Sequence, residues 1–369
     1  MKNIPACRSQ LSFLSQKIKQ HYKVLPVTVL AVFSLTASVH AESLKKEDIQ
    51  LVTVVQTNTN PYMLQWAAGS KAFADSVGLP LKTIVANGDS QQQLAQIQAT
   101  IAAGKKVVLT INPINSADIP AIVKAVTRSG GFLTTQWNKP ESYNPWDVSP
   151  NWVAHLTYDG LTAGRWTSKN LFDAMGKEGG IIALKGILDS PPAKQRYEGM
   201  TQTLREYKGI KLLDTQSAGW DRQKAYDITK TLITKYGDQI KGVWAASDSM
   251  ALGAYAAFSD AGRLGNVKFS GNDNTQEAQK LISAGQNFVN TYSSDGYYNG
   301  ALGLAMAYAA ATGELNVEKL THDQRDGNYK QFGVDKTNVE SHLKAPTQEE
   351  IMAEVNKGLF VRLIGPEVK

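Results

Sequence analysis

Residues 50–111 decide the fold: QLVTVVQTNTNPYMLQWAAGSKAFADSVGLPLKTIVANGDSQQQLAQIQATIAAGKKVVLTI. Short runs rich in valine, leucine and isoleucine alternate here with longer amphipathic runs. The short runs predict strands at 50–56, 81–86 and 106–111, and the longer ones predict helices at 62–77 and 91–103. Strands separated by helices of this length favour a parallel sheet with helices packed on its faces.

The same alternation continues to about residue 311. The first run ends with a helix at 117–127 and a strand at 132–136, and a Pro-, Asn- and Ser-rich loop or linker follows at 138–151. A second run then predicts strands at 153–157, 180–185, 210–215, 242–246, 267–270 and 288–292. Its helices are predicted at 159–175, 193–207, 221–236, 248–261, 275–284 and 301–311, and one more at 348–357 in the tail. The pattern predicts an α/β fold with two doubly wound parallel-sheet lobes.

Residues 1–41 have the pattern of an export signal. They hold five basic and no acidic residues, an uncharged apolar core at 24–39, and small residues at the −3 and −1 positions of a cleavage site after Ala41. A permanent membrane anchor is the alternative. The core is shorter than the roughly 20 residues of a spanning helix and contains Pro26, so we expect cleavage.

The charge balance changes once this segment is set aside. The 369 residues include 39 Lys and Arg against 33 Asp and Glu, but only 34 basic residues remain after Ala41, and the single cysteine, Cys7, is lost. A near-neutral chain without cysteine offers little to nucleic acid, and it excludes a disulfide framework and a thiolate metal cluster. The remaining length predicts two domains.

Sequence signatures of common enzyme chemistry are missing. The chain contains no phosphate-binding G-x-x-x-x-G-K-[ST], no strand-linked G-x-G-x-x-G and no G-x-S-x-G. The three histidines after the signal, His155, His322 and His342, are far apart, so no metal site is expected. Asp248, Asp273 and Asp295 offer a conceivable acid and base pair for glycoside cleavage, but a structural or ligand-binding role is favoured over catalysis.

Polar and aromatic residues gather where the predicted strands end. In doubly wound sheets, ligands bind at the carboxyl ends of the strands. Aromatic faces pack against the C–H faces of sugar rings, and Asn, Asp and Gln bind paired hydroxyls, so these loops suit a neutral polyhydroxyl ligand. The candidate loops are 60–62, 136–138, 189–194, 219–221, 247–248, 272–274 and 293–295.

Six motifs in register with this alternation carry a family resemblance. The chain resembles the periplasmic type I sugar-binding proteins of ABC importers, the ribose- and galactose-binding kind, from about residue 50 to 313. The motifs are Asn60-Pro61-Tyr62, Ile111-Asn112-Pro113, Lys194-x-Arg196-x-x-Gly199-Met200, Trp220-Asp221, Ser247-Asp248-Ser249-Met250-Ala251-Leu252-Gly253-Ala254 and Gly271-Asn272-Asp273.

The resemblance implies an architecture and a role. Two lobes would be joined by a three-segment hinge near 154–158, 291–295 and 330–334. The first lobe would comprise 48–155 plus 296–330, and the second 156–293 plus 331–369. The protein would be a periplasmic, monomeric binding protein, without catalysis or cofactor, that closes around a monosaccharide or polyol and delivers it to a permease in the inner membrane.

The resemblance also implies ligand-binding residues. Tyr62 and Trp220 would be aromatic walls, and Asn60 and Asp273 hydroxyl partners, while Arg196 is expected to support a helix end. A core position for Trp220 and a helix cap for Asp273 stay open as alternatives. Departures from the family pattern suggest a different ligand from ribose or galactose, and they fall at Gln136, Trp137, Lys194, Ser247 and Ser294.

Three other roles compete with uptake. A sugar-responsive repressor shares the expected fold but needs an N-terminal DNA-binding module where this chain has the predicted signal. An exported enzyme on the same scaffold would turn over its bound sugar. An exported receptor that presents a small signal molecule to a chemotaxis or quorum sensor cannot be separated from uptake by sequence.

Overall fold

The computed structural model describes residues 43–329 and 331–358. The predicted export signal and most of the apolar segment 358–364 lie outside these residues. Twelve strands are described: β1 (Ile49–Val55), β2 (Leu81–Val85), β3 (Lys106–Ile111), β4 (Phe132–Gln136), β5 (Trp152–Thr157), β6 (Glu178–Lys185), β7 (Gly209–Ser217), β8 (Ile240–Ala245), β9 (Lys268–Ser270), β10 (Phe288–Tyr292), β11 (Asp326–Asn328) and β12 (Gly333–Asp335).

The α-helices fill the intervals between these strands. They are α1 (Pro61–Ser76), α2 (Ser90–Ala102), α3 (Ile119–Arg128), α4 (Pro145–Val148), α5 (Gly160–Ala174), α6 (Pro191–Glu206), α7 (Arg222–Tyr236), α8 (Asp248–Asp260), α9 (Gln276–Ser283), α10 (Gly296–Ala311), α11 (His322–Arg325) and α12 (Gln348–Gly358). In this part of the chain, no helix has the length and apolar character that crossing a membrane requires.

Two six-stranded sheets form the cores of two lobes. The first has the order β11-β5-β4-β3-β1-β2 and is parallel throughout, and the second has the order β12-β10-β9-β8-β6-β7 with only β12 antiparallel. Nearly continuous apolar runs such as Val107–Leu109 suit strands covered by helices on both faces. The predicted fold of two doubly wound lobes is confirmed.

The chain crosses between the two sheets at three places. It leaves the first sheet after β5, returns to the first lobe after β10, and crosses again between β11 and β12. Backbone hydrogen bonds tie these segments together: Tyr329 N–H donates to Thr157 O at 2.8 Å, and Ser293 N–H donates to Phe332 O at 2.8 Å. The expected three-segment hinge is therefore present.

Helix caps place the loops that face the other lobe. Asn60 caps α1 by accepting from Tyr62 N–H at 2.9 Å, and Pro61 occupies the first helical position. Asp221 caps α7 and Ser247 caps α8 in the same way. These capping residues stand at carboxyl ends of strands, so the start of each helix is fixed at the cleft between the lobes.

The tail and the 138–151 segment differ from the predicted division. Residues 331–369 were expected in the second lobe. Helix α12 instead packs on α1 and α10 of the first lobe, where its apolar residues Ile351 and Val355 are buried in the core. Residues 138–151 do not link the lobes; they join β4 to its neighbour β5 and include α4.

Candidate functional site

A cavity lies between the lobes at the carboxyl ends of the strands. The space among its side chains that no protein atom fills, including the open solvent at its mouth, amounts to about 410 Å³. Both lobes contribute side chains, and most are amides, aromatics or hydroxyls. The lining residues are Gln56, Asn60, Tyr62, Met63, Asn112, Trp137, Asn138, Ser190, Pro192, Arg196, Trp220, Ser247 and Asp273.

Tyr62 and Trp137 form an aromatic corner in the first lobe. Their ring centroids are 6.5 Å apart at an interplanar angle of 70°, and Trp137 Nε1–H donates to the Tyr62 hydroxyl at 3.1 Å. Burial raises the pKa of Tyr62 far above its ordinary value, so the hydroxyl stays neutral. The corner therefore presents uncharged aromatic surface to the cavity.

Trp220 faces the cavity from the second lobe. Its side chain is half-buried, and its backbone has a φ of 67°, a conformation that bulky residues rarely adopt. Gly186 accommodates the indole, because a Cβ at that position would lie 2.1 Å from the ring. Trp137 and Asp273 also have positive φ, at 68° and 120°. Backbone strain of this kind concentrates at functional sites.

Arg196 lies between the two tryptophans and is 4% exposed. Its guanidinium carbon is 4.9 Å from the Trp137 ring centroid and 5.8 Å from that of Trp220. One nitrogen donates to Ala246 O at 2.7 Å and lies 3.5 Å from the Asp273 carboxylate, while Nε has no hydrogen-bond partner among the described residues. Arg196 was expected to support a helix end, but the carbonyl that it binds follows strand β8, and the residue lines the cavity.

Two buried carboxyl groups lie close to Arg196. Burial raises the pKa of Asp273, although Arg196 opposes the rise, and burial with the nearby Asp273 charge raises the pKa of Asp248. Asp248 accepts from Thr275 N–H at 2.8 Å and thereby stabilises the start of α9. It is not among the residues that line the cavity. The ion pair of Arg196 with Asp273 leaves the cavity close to neutral.

Two hydrogen bonds join the lobes across the cavity. Asn60 Nδ2–H donates to Trp220 O at 3.3 Å, and the Ser190 hydroxyl donates to Asn138 Oδ1 at 3.0 Å. Ser190 stands at the start of α6 without capping that helix, so its hydroxyl is free to reach across. The lobes are thus in contact around the cavity.

Six of the nine predicted site residues line the cavity. They are Asn60, Tyr62, Trp137, Trp220, Ser247 and Asp273. The other three lie elsewhere. Gln136 is buried and donates to Asn299 O at 3.1 Å, Lys194 is exposed at a separate hollow, and the Ser294 hydroxyl accepts from Asn272 at 3.0 Å.

A buried polar network connects the aromatic corner to the hinge. The Tyr62 hydroxyl accepts from Asn299 Nδ2–H at 2.8 Å, and Asn299 also donates to Ser294 O at 2.6 Å. The Tyr158 hydroxyl lies 2.7 Å from Asn299 Oδ1 and 2.6 Å from Ser294 O. Tyr158 and Ser294 belong to two different crossovers, so this network fixes the corner relative to the hinge.

Several cavity residues were not among the nine predicted site residues, although Asn138 lies in the candidate loop 136–138 and Asn112 in one of the six motifs. Gln56, Asn112 and Asn138 form a polar floor in the first lobe, in which Gln56 Nε2–H donates to Asn112 Oδ1 at 2.9 Å. All three stand at the ends of strands, which is the signal that could have identified them. Within the described residues, no group of acidic, histidine or cysteine side chains is placed to hold a metal ion.

Comparisons with known proteins agree with this architecture. Residues 51–315 match the family model for a periplasmic binding protein domain. The ribose import binding protein RbsB of Escherichia coli (strain K12) is 29% identical over 262 residues, covering 70% of this chain and 83% of that protein. A xylitol-binding protein of Mycolicibacterium smegmatis is 27% identical over 281 residues, covering 76% of this chain and 77% of that protein.

A solved structure is also similar. The crystal structure of a twin-arginine translocation pathway signal protein from Burkholderia phytofirmans is 37% identical, with a TM-score of 0.82, and the match covers 87% of this chain and 98% of that chain.

Proposed function

The chain belongs to the periplasmic binding protein domain family, and on that premise we propose that it captures a small neutral sugar or polyol for an ABC importer. The ligand would be enclosed between the lobes and delivered to a permease in the inner membrane. The protein acts as a binding protein without catalysis, as the import binding proteins among its relatives do.

The single observation that carries this proposal is the composition of the cavity. Aromatic surfaces from both lobes, Tyr62 and Trp137 on one side and Trp220 on the other, face a space rimmed by amides and hydroxyls. Such walls suit the C–H faces of a sugar, and the amides suit its hydroxyls. Arg196 is already paired with Asp273, so the cavity favours a neutral ligand over an anion.

The choice among neutral ligands depends on Trp137 and Ser247. Trp137 brings an indole where the resembled family usually has arginine, and Ser247 brings a short hydroxyl where it usually has asparagine. Both changes reduce the number of polar groups that reach a ring hydroxyl. We therefore expect a ligand other than ribose or galactose, such as another pentose, a deoxy or methylated sugar, or a polyol.

Ligand identification tests the proposal. Protein isolated from periplasm, with mass spectrometry of the released small molecule, should yield one sugar or polyol, and calorimetry against a panel of both classes should find micromolar or tighter affinity. A panel without any binder would contradict the proposal. Product formation from a bound sugar would show an enzyme instead.

Location and partners follow from the same proposal. We expect the export signal to be removed after Ala41 and the protein to act in the periplasm as a monomer. Genes for a permease and an ATPase beside its own gene would support import. Presentation of the liganded form to a chemoreceptor is the alternative, and co-isolation with such a receptor would favour it.

A further inference from the structure

The C-terminal tail begins on the second lobe. After the third crossover, β12 pairs with β10, and Val339 is fully buried in the core of the second lobe. The Ser283 hydroxyl on α9 donates to the Glu340 carboxylate at 2.5 Å, and Leu343 packs against the same core. The tail is therefore anchored on the second lobe up to residue 343.

The tail ends on the first lobe. Helix α12 lies against α1 and α10, and its residues Ile351 and Val355 are 6% and 0% exposed within the first lobe's core. Only residues 344–347 separate this helix from the anchor on the second lobe. The chain thus passes between the lobes a fourth time.

This fourth passage is short and stiff. Pro346 has a fixed φ, and Thr347 and Glu350 bond reciprocally at the start of α12: Thr347 N–H donates to the Glu350 carboxylate at 2.7 Å, and Glu350 N–H donates to Thr347 Oγ1 at 3.2 Å. Four residues span at most about 14 Å when fully extended. The length of this passage therefore sets an upper limit on how far its two anchors can separate.

The tail also lies over the hinge. A hollow beneath it is lined by Gln65 of the first lobe, Gln279 of the second lobe and Phe332 of the third crossover, together with His342 and Pro346 of the tail. The His342 ring stacks on Phe332 with centroids 4.8 Å apart and an interplanar angle of 20°. Any rotation of one lobe against the other must move the two ends of this tail segment relative to each other.

We propose that residues 344–347 and α12 form a tether that limits how far the cleft opens. Opening beyond the slack of the tether must either pull Ile351 and Val355 out of the first lobe's core or distort the anchor on the second lobe, and both are unfavourable. When the open state is limited, less conformational freedom is lost as the cleft closes on the ligand. The tether therefore also raises the affinity for the ligand. This last effect rests on the proposed function.

Lengthening the tether tests the proposal without any ligand. The experiment inserts about eight glycine and serine residues between Ala345 and Pro346, which adds slack and leaves α12 intact. Spin labels on Lys82→Cys and Lys211→Cys report on opening, because these exposed residues lie on β2 and β7, the strands of each sheet farthest from the crossovers. The only native cysteine, Cys7, is replaced by serine.

We expect the insertion to shift the distance distribution of the ligand-free protein several ångströms toward longer values. The same insertion after Gly104, in the exposed loop between α2 and β3, is the matched control and should leave the distribution unchanged. Val355→Asp, which detaches α12 without lengthening the chain, should reproduce the shift.

Three outcomes would overturn the tether: an unchanged distribution in the lengthened chain, an unchanged distribution after Val355→Asp, or an equal shift in the Gly104 control. Calorimetry with the best binder of the sugar and polyol panel should show affinity several-fold weaker in the lengthened chain. If no panel member binds, the proposed function fails, while the distance measurement still decides the tether.

Discussion

Trp220 offers the most direct test at the scale of a single residue. Its indole is half-buried, faces the cavity and touches the core of the second lobe only in part. Trp220→Ala should therefore weaken binding of the panel ligand by about tenfold or more, because a ring face loses its partner, with little change in melting temperature. Calorimetry and thermal unfolding measure the two effects.

Trp146 supplies the control for this substitution. It is also half-buried, but it lies on α4 in the first lobe and stacks on His322 with centroids 3.9 Å apart, outside the cavity lining. Trp146→Ala should leave the affinity unchanged. If Trp220→Ala instead causes a large loss of stability, the indole is mainly a core residue, as the alternative interpretation of the sequence held.

His155 predicts a pH dependence of stability. It is buried on β5, and burial, with a smaller effect from Lys139, lowers its pKa to about 3. Thr135 Oγ1 accepts from Trp152 Nε1–H at 2.9 Å and forms a second hydrogen bond with His155 Nδ1, also at 2.9 Å. The folded protein therefore keeps this imidazole neutral.

The sign of this pH dependence follows from proton binding. Below pH about 6.5, the unfolded chain binds a proton at His155 that the folded protein refuses until about pH 3, so stability falls with falling pH in this interval. The contribution is about 2–3 kcal/mol between pH 6.5 and 4.5. Denaturant unfolding should show His155→Asn less stable overall but with this part of the slope removed, and an unchanged slope would contradict the assignment.

Residue identity could be predicted from sequence better than residue direction. Lys194 was expected at the ligand and Arg196 at a helix end, yet Arg196 lines the cavity and Lys194 is exposed. Residues two apart on a helix point to nearly opposite sides. Helix α6 begins at Pro191, and this start turns Arg196 toward the cavity and Lys194 toward solvent. A helix that began two positions later would exchange the directions of these two side chains.

At the scale of elements, close helix packing places Arg196. Helices α5 and α6 approach through glycines: a Cβ on Gly164 would lie 2.0 Å from Arg196 O, and one on Gly199 would lie 2.2 Å from Leu161 O. The glycine of the Lys194-x-Arg196-x-x-Gly199 motif therefore allows the contact that holds the arginine. Helices α1 and α10 pack equally closely at Gly69 and Gly300 in the first lobe.

Gly164→Ala should separate α5 from α6. The added methyl meets backbone, which cannot move aside cheaply, so we expect a loss of about 1–3 kcal/mol in the free energy of unfolding, together with weaker ligand binding as Arg196 shifts. Gly265→Ala is the control, because no described residue apart from its two chain neighbours lies within 4 Å of its added Cβ. Equal stability of the two variants in denaturant titrations would contradict this packing argument.

The longer helices and strands were predictable because the pattern of apolar and polar residues repeats within each of them. Strands β3, β4 and β10 begin and end where predicted, and the helices predicted beside them agree within two residues at each end, except that α10 begins at Gly296 and not at 301. The short elements α4, α11, β11 and β12 were missed because three or four residues show no period of their own, whereas the equally short β9 was predicted because it falls within the regular alternation of strands and helices. The position of α12 was also wrong, since an amphipathic helix indicates that one face is buried but not which lobe covers it.

At the scale of the whole molecule, closure depends on a few contacts between the lobes. At the hinge, hydrogen bonds link Tyr62, Asn299, Tyr158 and Ser294. At the cavity rim, Asn60 bonds to Trp220 and Ser190 bonds to Asn138. Inside the cavity, the Arg196 guanidinium lies against the Trp137 ring. The rim bonds exist only when the lobes are together. Their loss should therefore change the balance between open and closed forms and spare the stability of either lobe.

Ser190→Ala tests this separation of closure from stability. The substitution removes the 3.0 Å bond to Asn138 and leaves the buried Asn138 Oδ1 without this donor in the closed form, an effect of about 1–3 kcal/mol. Helix α6 loses no cap, because Ser190 makes none.

We therefore expect the Ser190→Ala substitution to weaken ligand affinity by about fivefold to a hundredfold and to leave the melting temperature without ligand almost unchanged. The radius of gyration measured by X-ray scattering at subsaturating ligand should be larger than in the unsubstituted protein. Ser76→Ala is the matched control, because its hydroxyl donates within α1, to Phe73 O at 2.7 Å, and does not line the cavity between the lobes. If Ser190→Ala lowers the melting temperature and keeps the affinity, the bond serves the lobe and not closure.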